Sequence, residues 1–330
     1  MAMVIRFYEA GGPEVLRREE MAALDPGAAE VKIKVEAIGL NRAEIAYREG
    51  RYLERPKFPS TLGYEAAGTV VAVGSEVRGV TKDERVGVIP NFSMTEYGTY
   101  GEEILMPSSS VTACPSDVSY VTFAAVWMQY LTAYGGLVEI GGLEPGEYVI
   151  VTAASSSVGL AAVQIALALG AVPIATTRTY AKREALLQAG AAHVIATEEQ
   201  DLVAAVRRIT GNSGARLIFD PIAGSGVEKL AKVAAAAGTI IIYGGLSAEQ
   251  TPFPGGLAMV RGLTLRGFTV FEITKVPERL ARAKAFIYSG LANGTLRPSI
   301  DRSFRLEAIA EAHRYMEKSE QVGKIIITVP

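Results

Sequence analysis

The sequence predicts an α/β protein of two domains, one built on a doubly wound parallel sheet and the other β-rich. Three observations carry that expectation. From Gly146 to about Phe268, β-prone runs alternate with helical stretches, which is the rhythm of βαβ units on a parallel sheet. Residues 1 to about 125 instead give short β-type runs separated by Gly/Pro-rich turns. The chain's 330 residues also exceed the ~250–300 at which single cores stop growing.

In the first stretch Met3–Tyr8, Glu30–Leu40, Gly68–Val73 and Glu84–Ile89 read as strands. Turns such as Gly11-Gly12-Pro13, Asp25-Pro26-Gly27 and Gly74-Ser75 punctuate them. Val31 to Ala37 alternates apolar and charged residues, so this strand should be half-buried. Near Ser119–Phe123 the pattern turns helical, with Ser116 or Ser119 as N-cap.

Between Tyr148 and Arg178 there is no charged residue. The length would allow a membrane span, but Ser155–Ser157 and Pro173 interrupt it. The segment reads as strand Val149–Val151, small-residue turn Ala153–Gly159, helix Leu160–Leu169, stop at Gly170 and strand Val172–Thr177. Its elements are apolar because a parallel sheet is covered on both faces. There follow helix Tyr180–Gln188, strand His193–Ala196, helix Asp201–Thr210, strand Arg216–Asp220, helix Gly226–Ala237, strand Thr239–Tyr243 and strand Leu263–Phe268. Pro277–Tyr288 and Leu306–Met316 are further helices. Gly323–Val329 closes the chain as a strand that can return to the first domain.

The turn brings in chemistry. Small residues let a backbone approach a pyrophosphate, whose charge is met by N–H groups opening the next helix. Of the usual Gly-x-Gly-x-x-Gly only Gly159 survives, with Ala154 and Val158 in the turn and Ser155, Ser156 and Ser157 adding hydroxyls. A merely structural turn is the alternative. An NAD site wants an acid roughly 20 residues on, at the end of the second strand. Here Thr177 is followed by Arg178 and Lys182, and the first acid is Glu184. Cations at that place suit a 2′-phosphate, so NADPH is favoured over NADH. An idle, exposed helical turn is the competing reading.

A net charge of −2 and a pI near 5.9 give no footprint for nucleic acid. The single cysteine, Cys114, excludes an intramolecular disulfide framework and fits a reducing compartment. No secretory signal is visible at the N-terminus. The expectation is a cytoplasmic protein with a small-molecule partner, bound to neither nucleic acid nor membrane.

Four segments together carry a resemblance over essentially the full length: Gly39–Glu44 with Tyr47–Tyr52; Leu62–Gly68 with Val73–Val77 and Arg85–Gly87; Leu131–Tyr134; and Ala153–Gly159. They are similar to the zinc-independent quinone oxidoreductase (zeta-crystallin-like) branch of the medium-chain dehydrogenase/reductase superfamily. The resemblance implies a GroES-like β-rich catalytic domain over 1–125, completed by 269–330, and a Rossmann NADP(H)-binding domain over 126–268. It places the active site in a cleft between them. It implies a homodimer, for which Leu263–Val270 is the expected edge strand, and hydride transfer from NADPH to a quinone or an α,β-unsaturated carbonyl. Alternatives are a structural or RNA-binding protein of zeta-crystallin type, and an alcohol dehydrogenase-like enzyme acting on another carbonyl. Zinc-dependent relatives have Gly-His-Glu where this chain has Gly63-Tyr64-Glu65, and a cysteine where it has Leu40 or Asn41. A catalytic zinc needs several such ligands, so no metal is expected.

By the same resemblance Asn41 contacts the nicotinamide ribose or the substrate, Thr132 lies beside the nicotinamide, and Phe271 and Lys324 line its end. Gly244 and Gly245 fall at the carboxyl edge of the sheet, where ligands bind. Tyr47, Tyr52 and Tyr64 are candidates to donate to a developing oxyanion, since a phenol keeps its proton at neutral pH. Packing competes with each of these roles. Asn41 equally suits a turn former with a satisfied side chain, and Lys324 a charged residue opening a strand. Cys114, His193 and His313 read as structural.

Overall fold

The computed structural model describes residues 1–22 and 24–330. The chain divides into two compact units, residues 1–128 with 298–330 and residues 129–297. The second unit therefore runs beyond the boundary expected at 268. Helix Pro277–Asn293 lies in it, with Phe286 ring-to-ring at 5.2 Å from Tyr134 and Arg282 paired with Glu139 at 2.8 Å.

The first unit opens with β1 (Ala2–Arg6), β2 (Arg17–Met21) and β3 (Glu30–Gly39), followed by helix α1 (Arg42–Arg48). Then come β4 (Glu65–Val73), β5 (Arg85–Val88), β6 (Glu103–Pro107), β7 (Val111–Ala113) and helix α2 (Tyr120–Phe123). Val31, Ile33 and Val35 of β3 are buried, as its alternation requires. Ser119, not Ser116, caps α2 by accepting from the Thr122 N–H at 3.0 Å. Strands β2, β6 and β7 lie outside the sequence reading: β2 is polar and is made a strand by its partner, while β6 and β7 are short apolar runs of five and three residues.

Helix α3 (Trp127–Tyr134) leads into the second unit. There β8 (Tyr148–Val151), α4 (Ser157–Ala168), β9 (Val172–Thr177), α5 (Arg183–Gln188), β10 (His193–Ala196), α6 (Leu202–Ile209) and β11 (Ala215–Asp220) alternate. They continue as α7 (Gly226–Val233), β12 (Ala234–Ile242), α8 (Gly255–Arg261), β13 (Thr264–Gly267), α9 (Phe271–Thr274) and α10 (Pro277–Asn293). The six strands run parallel in the order β10-β9-β8-β11-β12-β13. In units of the first strand this is 3-2-1-4-5-6, the Rossmann order, which reverses between β8 and β11. Ile150, Ile174, Val206, Ile218, Leu230 and Ile240 form its core, each worth about 1.5–3 kcal/mol when buried. Helix α7 stops at Val233, short of the expected Ala237. Ala234 pairs with Ala215 in the sheet, and Ala237 takes a left-handed φ of 54° that no helix continues.

The chain then gives β14 (Ile300–Arg305), α11 (Ile309–Glu317) and β15 (Lys324–Thr328) to the first unit. β15 pairs antiparallel with β3, in a sheet ordered β14-β15-β3-β4-β5-β7 with β6 also on β3. The return of the last strand to the first domain is thus a main-chain fact, and it brings Lys324 beside Gly39.

Candidate active site

The turn after β8 is shaped by its small residues. Ala153 is left-handed at φ 45°, and the Ala154 N–H donates to the Thr176 carbonyl at 3.0 Å. Ser156 caps α4, its Oγ accepting from the Gly159 N–H at 3.1 Å. A Cβ on Gly159 would sit 2.6 Å from the Ala154 Cα and O, so only glycine lets the helix lie this close to the turn. This is why one glycine of the fingerprint persists while the others are replaced. The N–H groups of Ser157 and Val158 open the helix, where an α-helix leaves its first donors without helical partners.

Lys182 Nζ donates to Ser155 Oγ at 3.3 Å, so the structure brings together two residues that are 27 apart in sequence. Thr177 ends β9 buried, and Arg178 stands exposed beside it. Glu199 is the acid of this corner, accepting from the Tyr180 N–H at 3.0 Å. Across the switch point, burial pushes the Asp220 carboxyl up. Hydrogen bonds from the Thr152 hydroxyl and from the Ile222 and Ala223 N–H groups oppose that rise. Tyr243 stacks on Phe219 at 3.9 Å. A Cβ on Gly244 would meet the Pro221 carbonyl at 2.9 Å, whereas Gly245 faces open space. Thr132 is buried in α3, and Phe271 opens α9 with the Lys275 ammonium 5.0 Å from its ring centre. A narrow turn, a helix N-terminus, a hydroxyl and an ammonium together fit a phosphorylated dinucleotide.

The first unit supplies a second cluster at the junction of β3 and α1. Lys324 and Glu65 form an ion pair with both side chains fully buried. Lys324 Nζ also donates to Asn41 Oδ1 at 2.6 Å, and Glu65 Oε2 accepts from the Met128 N–H at 3.0 Å. A Cβ on Gly39 would strike the Ala124 carbonyl and come within 2.8 Å of Lys324 Cε. Asn41 has its side-chain amide satisfied within the first unit. Its Nδ2 donates to the Gly39 carbonyl and to Glu44 Oε1, each at 3.1 Å, so both amide protons are committed inside the protein.

The tyrosines separate. The Tyr47 ring is buried edge-on against Phe7, and its hydroxyl meets Ser60 Oγ at 3.0 Å, an arrangement that serves packing. Tyr52 and Tyr64 lie with ring centres 6.1 Å apart, and Phe92 is 5.7 Å beyond Tyr64. Tyr64 is fully buried and donates to Glu54 Oε1 at 3.3 Å. Glu54 also accepts from Ser93 Oγ and from the Met94 N–H, at 2.5 and 2.8 Å. Tyr52 is half-buried. Burial pushes its phenol up to about 12, opposed by the neighbouring Tyr64 hydroxyl and reinforced by Glu54 and Glu44. Tyr64 is raised further, again by burial first. Both rings hold their protons at neutral pH.

Glu44, Glu54 and Glu65 carry this geometry without having been assigned roles from sequence. Signals for two of them were present. Asn41-x-x-Glu44 has the spacing by which a helix N-terminus is capped reciprocally, and the Asn41 N–H does donate to Glu44 Oε2 at 2.8 Å. Glu65 and Lys324 each open an otherwise apolar strand, and a buried charge requires an opposite one. Among the described residues no three His, Cys, Asp or Glu groups are placed to hold a metal ion, and no helix is long and apolar enough to cross a membrane.

Two family models match the chain: the alcohol dehydrogenase GroES-like domain over residues 27–116 and zinc-binding dehydrogenase over residues 157–285. Human quinone oxidoreductase is 32% identical over 326 residues, covering 98% of this chain and 96% of its own. The crystal structure of Escherichia coli quinone oxidoreductase complexed with NADPH superposes with a TM-score of 0.91 at 29% identity, over 99% of each chain. A mycobacterial protein complexed with NADPH also gives a TM-score of 0.91, at 26% identity over 99% of this chain and 100% of its own. With Tyr64 standing where zinc-dependent relatives place histidine, the chain belongs to the zinc-independent quinone oxidoreductase branch of the medium-chain dehydrogenase/reductase superfamily.

Proposed function

We propose that this protein is an NADPH-dependent oxidoreductase that reduces a quinone or an α,β-unsaturated carbonyl without a metal. The observation that supports it most is the corner at the end of β9, where Lys182 reaches the Ser155 hydroxyl and Arg178 projects beside it. The α4 N-terminus would hold the pyrophosphate, with Arg178 and Lys182 on the 2′-phosphate. When bound, NADPH supplies the hydride. Reduction of an enone at its β-carbon leaves an enolate oxyanion, and a quinone gives a quinol oxyanion. That charge must be met by hydrogen-bond donors. We assign the donor role to the Tyr52 phenol, backed by Tyr64. Its high pKa favours a held hydrogen bond over release of the proton, so the final proton comes from water. Asn41 is assigned to holding Lys324 in place.

The test is cofactor selectivity. Charge-assisted contacts to a phosphate are worth about 10- to 100-fold in affinity. Arg178→Ala should weaken NADPH by that factor in a fluorescence titration and leave NADH nearly unchanged. Equal losses for both cofactors would remove the assignment.

We further propose a homodimer joined through the second unit. Strand β13 is one of the two edges of the parallel sheet, an open pairing template. Beside it in sequence, Met259 and Val260 of α8 are 82% and 84% exposed. Light scattering at micromolar concentration should give twice the 35.0 kDa chain mass. A monodisperse monomer would contradict this.

A further inference from the structure

Behind Asn41 a line of buried polar side chains runs outward through the first unit, and the proposed reaction uses none of them directly. Glu44 is fully buried and receives four donors. The Asn41 N–H and the Tyr100 hydroxyl reach Oε2 at 2.8 and 2.6 Å, while Asn41 Nδ2 and the Tyr64 N–H reach Oε1, each at 3.1 Å. His313 Nε2 lies 3.1 Å from the Tyr100 hydroxyl, and His313 Nδ1 lies 2.8 Å from Arg48 Nη1. Arg48 ends the line at Glu317, 2.5 Å away, whose side chain is 30% exposed.

The polarity of this line follows from chemistry. A guanidinium only donates, so His313 Nδ1 presents its lone pair to Arg48. The ring proton therefore sits on Nε2 and is donated to the Tyr100 oxygen. The Tyr100 proton then has one direction left, onto Glu44. Burial, with Arg48 adding, pushes His313 down to about 3, so the ring stays neutral and can pass polarity in this way.

We infer that Arg48, His313 and Tyr100 are positioning residues, an aligned series of donors that keeps Glu44 ionised and thereby fixes the Asn41 amide with its oxygen on Lys324. A protonated Glu44 would be a donor facing four donors. Two of those are backbone N–H groups and Tyr100 is oriented from behind, so the Asn41 amide is the group free to flip. The flip would turn Nδ2 toward the Lys324 ammonium, donor against donor, and leave that lysine held by Glu65 alone. Burial raises the Glu44 carboxyl, while Tyr100, both Asn41 donors and Lys324 pull it down. The other charged or titratable groups around it are Tyr64 just before β4, Glu65 opening that strand, Arg48 on its own helix, His313 from α11, and Tyr52. The link to turnover rests on the proposed function. The ionisation of Glu44 does not.

Two readouts on Tyr100→Phe test this. One is the pH at which the infrared band of a protonated carboxyl, absent in Glu44→Gln, appears in the protein without cofactor. The other is the acid limb of kcat for NADPH with an enone. A hydrogen bond to a charged group corresponds to about one to two pH units. Both midpoints should move up by that amount, with turnover recovering at higher pH. His313→Gln, whose amide accepts from Arg48 and donates to Tyr100, should bring both midpoints back toward wild type relative to His313→Leu. An unmoved band, or a loss of turnover that no pH restores, overturns the inference. If Tyr100→Phe does not fold, His313→Leu cuts the next link and must shift the band upward. A shifted band in a protein whose wild type reduces no enone supports the series of donors and counts against the proposed function.

Discussion

Tyr52→Phe should lower turnover of an enone about 100- to 1,000-fold, the usual cost of losing one oxyanion donor, while NADPH affinity stays at the wild-type value. The variant removes one oxygen from a half-buried ring and leaves its packing against Tyr64 in place. With the phenol pushed up to about 12, the donor is intact across neutral pH and is lost only as pH rises toward that value. Steady-state kinetics with an enone, together with a binding titration, check both halves. Quinones that accept single electrons easily need less help with charge, so the enone decides. Wild-type turnover in the variant would remove Tyr52 from the mechanism.

Lys324→Ala should be the most destabilising single change at the site, by about 3–5 kcal/mol, because it leaves the Glu65 carboxylate buried without its cation. The neutral pair Lys324→Met with Glu65→Gln should recover most of that loss, since replacing both charges removes the uncompensated one. Chemical denaturation of the single and double variants measures it. A loss below about 1 kcal/mol in Lys324→Ala would mean that Glu65 is satisfied by the Met128 N–H and by water, contrary to the buried geometry.

The parallel sheet could be read from the sequence because each of its elements declares itself locally. Val172–Thr177 and His193–Ala196 are β-prone runs between helices, and both occur at the expected residues. Two of the strands that escaped are polar: Arg17–Met21 is held by pairing along its length with β1, and Ile300–Arg305 by β15. Neither has an apolar period to betray it. The same contrast divides the site. The turn at Ala153–Gly159 is contiguous, and its one surviving glycine marks where a side chain cannot fit. The Asn41, Glu44, Glu65 and Lys324 cluster spans most of the chain and exists only because β15 returns to β3. A sequence shows that charges open apolar strands, but not which charge answers which. Asn41 shows the limit most clearly, since its satisfied amide depends on an acid three residues away and a lysine 283 residues away.

The most direct test of the account is the fate of the hydride. NADPH deuterated at the transferring position of C4 should deliver its label to the β-carbon of an enone, one deuterium per NADPH consumed, as read by mass spectrometry and NMR of the product. The same label in NADH should be transferred more slowly at equal concentration. A product without deuterium at the β-carbon, or no NADPH consumption with any electron-poor quinone or enone, would contradict it.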